Sequence, residues 1–308
     1  MNWDIFDIFA YRQEVAAEQL FDLLKNFAAG GEHTMQRFLA ILLSVLECLG
    51  CMIFDTPVTP RGQALDLSDY HIVFEDEFDG DSLDTDAWFT RGNGSRRSGY
   101  NAASQVAVKD GNLVITGEYR DAESGEYGEG WYVGAVALNE LYCKGYYEIR
   151  CKCNKGTDFW SAFWIQGSTP YDHELSNGGI NSAEIDIFEA MSAGDYILPS
   201  NNSSVTSTIH CNGVDDDVEN IDSCCLGCFK VDNDIYEEYN TYGLEWTDDE
   251  YIFYINGVES ARSTFGKGVC QSPEQVIVSL EIPGNEIGFE KDYTTQFIVD
   301  YVKIYQKN

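Results

Sequence analysis

The chain has 308 residues, 44% of them hydrophobic and 14% aromatic, enough to bury a sizeable core and too apolar for intrinsic disorder. Its 52 acids against 19 bases leave a formal net charge of −33. A surface this negative repels nucleic acid, anionic lipid and sulfated polymers, and suits a soluble protein with a neutral ligand.

Residues 1–55 read differently from the rest. Apolar residues at Ala16, Leu20, Leu23, Leu24 and Phe27 recur at helical spacing, and Gly30-Gly31 ends that segment. Met35-Gln36-Arg37 followed by the apolar run from Phe38 has the layout of a signal peptide, a basic start before an apolar core. The expectation is a short N-terminal helical segment that doubles as an export signal or anchor from Met35, placing the protein outside the cell or at its surface. The alternative is a helical hairpin packed on itself or on the following domain. Residues 56–68, opening with Thr56-Pro57-Val58-Thr59-Pro60, read as a linker to a domain over 69–308.

From Tyr70 onward, short strands follow one another without an intervening helical period. Predicted strands include His71–Phe78, Gly111–Thr116, Gly145–Arg150, Phe159–Ile165, Ala183–Ala190, Val205–Cys211, Asn240–Trp246, Tyr251–Ile255, Gln275–Ile282 and Gln296–Gln306. Asp110-Gly111 and Asn256-Gly257 are hairpin signals between such runs. Many short strands without helices predict two antiparallel sheets in a sandwich or barrel. Ten cysteines include two C-x-x-C pairs, Cys48/Cys51 and Cys225/Cys228, whose spacing is compatible with zinc but lacks a recognisable ribbon context. Cys151 and Cys153 flank one residue of a predicted strand and should share a face as small apolar groups; free, buried thiols are the default.

The chemistry concentrates in Ala183-Glu184-Ile185-Asp186-Ile187-Phe188-Glu189-Ala190. In an acid-rich chain, chance supplies about one or two E-x-D-x-x-E spacings, so context carries more weight than the spacing. In a regular strand Glu184 and Asp186 share a face and Glu189 points away. One extra residue, a β-bulge between Asp186 and Glu189, would bring Glu189 back to that face. The outer glutamates would then stand roughly 13 Å apart at Cα, within reach of a retaining pair once the side chains lean inward. Three acids so close cannot all ionise freely, and a raised pKa is what a general acid needs. The bland alternative is an acidic stripe on a half-exposed strand.

These features together resemble glycoside hydrolase family 16. The resemblance rests on Phe74-Glu75-Asp76-Glu77-Phe78-Asp79-Gly80 with Trp88, on Gly145–Arg150 followed by Phe159–Trp164, on Tyr242–Thr247 with Tyr254–Val258, and on the closing Phe297–Tyr305. It implies an all-β, concanavalin-like jelly-roll sandwich with Glu184 as nucleophile, Asp186 assisting and Glu189 as acid/base. It also implies His210 beside the nucleophile, Trp160 and Trp164 as sugar platforms, and a structural calcium held by Glu77, Asp300 and a carbonyl of Gly111. Tyr100 and Asn101 fall in a loop placed to rim the cleft. No cofactor is needed for the chemistry. The expected partner is a neutral β-1,3- or mixed-linkage β-glucan, with agarose next, acted on by a monomer. The E-x-D-x-x-E form resembles the bulged subgroup of the family. The typical laminarinase stretch is absent, however, and that region reads Leu280-Glu281-Ile282-Pro283-Gly284-Asn285-Glu286. A non-catalytic carbohydrate-binding sandwich would not need all three acids; a transglycosylase shares the first chemical step.

Overall fold

A computed structural model describes residues 57–155, 159–167, 177–190, 204–215, 220–284, 287–288 and 290–308. The N-terminal helical segment, the export signal and Cys48/Cys51 lie outside the described residues.

The described chain opens with strands β1 (Tyr70–Asp76), β2 (Trp88–Thr90), β3 (Gly94–Arg96), β4 (Gly99–Asn101), β5 (Val106–Lys109) and β6 (Asn112–Arg120). It continues through β7 (Gly130–Val133), β8 (Ala135–Tyr142), β9 (Gly145–Lys152), β10 (Trp160–Gln166), β11 (Glu184–Glu189) and β12 (Ser204–Asn212). The last strands are β13 (Ile221–Lys230), β14 (Asn240–Trp246), β15 (Tyr251–Ile255), β16 (Val258–Ser263), β17 (Glu274–Glu281) and β18 (Thr294–Lys307).

These strands form two sheets in a jelly-roll sandwich. The smaller has the order β13-β12-β11-β10-β17-β8-β2, with every pairing antiparallel. The larger runs β16-β15-β14-β9-β18-β6-β7-β4-β3, with β1 paired to β18 and β5 to β6. Alternation explains the layering. Leu113, Ile115, Phe297 and Val299 of the larger sheet point inward to meet Phe163, Ile165, Ile185, Phe188, Val276 and Val278 of the smaller one in a single core. Phe188 stacks on Tyr242 across the layers, ring centroids 4.1 Å apart. Asp110-Gly111 and Asn256-Gly257 both take positive φ at both residues, the two-residue hairpin geometry that only such pairs adopt without strain.

Part of the expected linker is tied down. Gly62 N–H donates to Glu259 O at 3.0 Å and Leu65 N–H to Gly257 O at 2.9 Å. Leu65 and Leu67 pack on Tyr146, Ile252 and Tyr254, and the compact unit runs Thr59–Asn308. Cys151 and Cys153 both enter the core, and they, Cys143, Cys211, Cys225 and Cys270 carry free thiols.

Candidate active site

The bulge lies at Ile187. Against β10, Phe188 pairs with Phe163 and Asp186 with Trp164, so no residue of β10 stands opposite Ile187. The register with β12 shifts at the same place, between Asp186 and Glu189. Ile187 and Phe188 consequently both turn into the core, and the three acids project together from the opposite, outer face of the smaller sheet. Burying Ile187 and Phe188 is what holds the bulge, since exposing either would cost roughly 1.5–3 kcal/mol.

Cross-strand register lays out the rest of that face. His210, Glu184, Gln166, Gln275 and Leu141 form one row across β12, β11, β10, β17 and β8. Thr208, Asp186, Trp164, Ile277, Ala137 and Phe89 form the next, and Thr206, Glu189, Ala162, Ser279 and Ala135 a third. Trp164 stands directly opposite Asp186, and Ala162, between the two indoles along β10, stands directly opposite Glu189.

Each acid has its own partner. Trp160 Nε1 donates to Glu189 Oε1 at 2.8 Å. Gln166 Nε2 donates to Glu184 Oε2. His210 Nε2 lies 3.1 Å from Asp186 Oδ2, and its Nδ1 meets Ser223 Oγ at 2.5 Å. Burial is the main cause that pushes all three carboxyls up, Glu184 and Asp186 to about 7 and Glu189 to about 8. Asp186 is the next contributor for both glutamates, through like-charge repulsion. Three buried carboxyls raised together make full ionisation of the triad costly at neutral pH.

The family model for the glycoside hydrolase family 16 domain of β-porphyranases A–D matches residues 72–306. The chain belongs to glycoside hydrolase family 16. It is 30% identical over 251 residues to β-porphyranase E of Zobellia galactanivorans, covering 75% of this chain and 85% of that protein. It is 26% identical over 257 residues to a glucan endo-1,3-β-glucosidase of Cryptopygus antarcticus, covering 75% and 90%. Among solved structures it is similar to SCLam, a non-specific endo-β-1,3(4)-glucanase of family 16, at TM-score 0.65 and 26% identity over 83% of this chain and 98% of that one. The protein is thus a glycoside hydrolase with the family's jelly-roll fold.

Within this family 16 fold the other predicted site residues divide. Trp160 is half-buried beside Glu189 and Trp164 is buried, and both belong to the outer-face cluster with Ala137, Ala162 and Ile277. Trp164 Nε1 donates to Ser279 Oγ at 3.0 Å, so this indole is anchored into the floor. Tyr100 and Asn101 lie on β4 of the larger sheet. Tyr100 packs against Tyr132, 5.0 Å between centroids, and Asn101 is buried. The loop expected to rim the cleft is a strand, because Gly99–Asn101 pairs with both β3 and β7.

Two of the expected calcium ligands have cationic partners. Glu77 is paired with Lys303 at 2.5 Å and Asp300 with Arg150, so each acid meets a cation of the protein itself. Gly111 sits in the tight turn described above. This donor set does not fit the shell of several oxygens that calcium takes. Among the described residues, the acids and histidines close enough to share one cation are Glu184, Asp186 and His210, whose donor atoms lie within 4.8 Å. Asp186 and His210 are already paired with each other, and Glu184 with Gln166.

The sequence reading missed the basic side of the cleft. Arg96 donates to Glu281 Oε2 from Nε at 3.1 Å and Nη2 at 2.6 Å, and Arg97 Nη1 reaches the same oxygen at 3.1 Å. Arg97 lies over the Trp160 ring, 5.0 Å from its centroid, and Arg91 over Trp164 at 4.8 Å. Arg91 Nη2 donates to Gln166 Oε1 at 2.9 Å. Period-two alternation from Trp160 through Ala162 and Trp164 would have found Gln166; nothing local points from Arg91 or Arg96-Arg97 to a strand so distant in the chain.

Proposed function

We propose that the protein is a retaining endo-glycosidase that cleaves a β-linked polysaccharide laid across the outer face of the smaller sheet. The observation that carries this is the Ile187 bulge, which gathers Glu184, Asp186 and Glu189 on that face. In the first step a carboxylate oxygen of Glu184 bonds to the anomeric carbon while the glycosidic C–O bond breaks, and the Glu189 proton passes to the departing oxygen. In the second, Glu189 takes a proton from water as the water oxygen displaces Glu184, and the configuration is retained. Asp186, hydrogen-bonded to His210 between the two glutamates, keeps their proton affinities high by its charge.

The polymer is an anionic β-galactan of the porphyran class in our reading. Among the described residues, Arg96 and Arg97 share the single carboxylate of Glu281 beside Trp160, so the two guanidiniums outnumber the acid they are paired with. The overall charge of −33 acts against such a substrate only at long range. At physiological salt the field of exposed charges is screened beyond ~8 Å, so contacts inside the cleft outweigh it. Similarity to a β-porphyranase supports the same choice. A neutral β-1,3- or mixed-linkage glucan is the second reading, favoured by the apolar floor of Trp164, Ala162 and Ile277, which suits an uncharged pyranose face.

Incubation with porphyran, agarose, laminarin and lichenan, followed by product sizing and time-resolved NMR of the new reducing ends, tests both. Short oligosaccharides released first as the β-anomer, fastest from porphyran, are expected. Preference for laminarin would select the second reading. First release of the α-anomer, or binding without cleavage of any polymer, would overturn the retaining mechanism.

A further inference from the structure

Gln166 can donate to Glu184 in only one of its two amide orientations, and Arg91 selects that orientation. A guanidinium offers donors and no acceptor, so the Gln166 group facing Arg91 Nη2 at 2.9 Å has to be the carbonyl Oε1. The amide NH2 is then turned onto Glu184 Oε2. Reversing the amide would set donor against donor at Arg91 and oxygen against carboxylate at Glu184, so the two contacts enforce each other. Arg91 is held in turn: its backbone N–H donates to Ala135 O at 2.8 Å, its side chain lies over Trp164, and no carboxylate among the described residues forms an ion pair with it. Gln166 is buried and its strand neighbour across the sheet is Gln275.

We infer that Arg91 and Gln166 are positioning residues that fix the nucleophile, with Arg91 acting on Glu184 through the Gln166 amide. Among the described residues no hydrogen bond reaches Glu184 Oε1. Oε2 is therefore the restrained oxygen and Oε1 the one left to attack. In the glycosyl-enzyme Oε2 becomes the ester carbonyl oxygen, and the same N–H stays bonded to it through both steps. A direct arginine would neutralise the carboxylate; the interposed neutral amide orients it and leaves its charge for the reaction.

The inference rests on the retaining reading above for its kinetic arm and has a second arm that does not. Gln166→Met and Arg91→Met should each lower kcat by about 10- to 100-fold, the range for loss of one hydrogen bond to a charged group, with KM within about two-fold. The double variant should be no worse than about the weaker single one, because both remove the same contact. Gln166→Glu keeps the partner of Arg91 but puts an acceptor against Glu184, and should lose at least as much as Gln166→Met. Independently of turnover, the Gln166 side-chain NH2 of the full chain should exchange slowly with solvent in NMR, and this protection should vanish in Arg91→Met. Additive effects, wild-type kcat in Gln166→Glu, a loss confined to KM, or protection surviving in Arg91→Met would overturn it. If the unmodified chain cleaves no polymer, the retaining reading fails, and the NMR comparison still decides the relay.

Discussion

The indole of Trp160 donates its N–H to Glu189 at 2.8 Å, joining the expected sugar platform to the expected proton donor. Burial first and Asp186 second push the Glu189 carboxyl up to about 8, and this hydrogen bond pulls in the opposite direction. Trp160→Phe removes that opposing influence. Glu189 should then hold its proton to higher pH, and the basic limb of the kcat/KM profile should move upward, with activity down about 10-fold from the lost bond. An unmoved basic limb would separate Trp160 from the acid/base.

Opposite roles for the two glutamates predict opposite rescue products. With an activated aryl glycoside, Glu184→Ala plus azide should give the inverted glycosyl azide, because azide replaces the missing nucleophile. Glu189→Ala plus azide should give the retained product, because azide then attacks the glycosyl-enzyme. Without azide both variants should lose several orders of magnitude of activity and stay folded. Product configuration by NMR reads the assignment directly.

Asp186 raises both neighbours by like-charge repulsion and accepts the His210 contact at 3.1 Å. Asp186→Asn removes the charge at constant shape. Both limbs of the pH–rate profile should shift to lower pH, since each glutamate then ionises more easily. A shift to higher pH would contradict the repulsive role.

Stability should fall as pH rises from about 4 towards 8. Glu184, Asp186 and Glu274 are raised to about 7 and Glu189 to about 8, all chiefly by burial. The folded state therefore keeps protons that the unfolded chain has released. Its stability is greatest below the unfolded carboxylate values and is lost as pH climbs through the folded ones. The net charge of −33 adds self-repulsion in the same direction. Thermal melts at pH 5 and pH 8 check this, with Tm expected to drop by roughly 2 to 4 °C for each kcal/mol lost. Glu274→Gln should flatten the slope, although it also weakens the anchor that Glu274 Oε1 gives Ala183 N–H at 2.7 Å just before Glu184.

The substrate reading makes a separate demand on Arg97, which shares Glu281 with Arg96 and covers Trp160. Arg97→Gln should raise KM for porphyran several-fold, in a salt-sensitive way, and leave KM for agarose nearly unchanged. Equal effects on both polymers would favour the neutral glycan.

Local rules were sufficient for a large part of this protein. Alternating apolar residues and the Asp110-Gly111 and Asn256-Gly257 turns specify strands and hairpins, because side-chain direction in a strand and positive φ at a turn are set by the residues themselves. The order of motifs along those strands was enough to identify the family, and Glu184, Asp186 and Glu189 were legible as a group. A bulge between Asp186 and Glu189 could be expected from their spacing, but which residue bulges could not, because a bulge exists only relative to the strands beside it, and Ile187 is the extra residue only once β10 and β12 are in register. Tyr100 and Asn101 went to the other sheet for the same reason: pairing with β3 and β7 decided their surroundings. Arg91 meets Gln166 75 residues away, and Arg96 meets Glu281 across 185. Contacts of that range are products of sheet order, so the acids of the site could be read from the chain, while the residue that bulges between them and the arginines that flank them were decided by the tertiary structure alone.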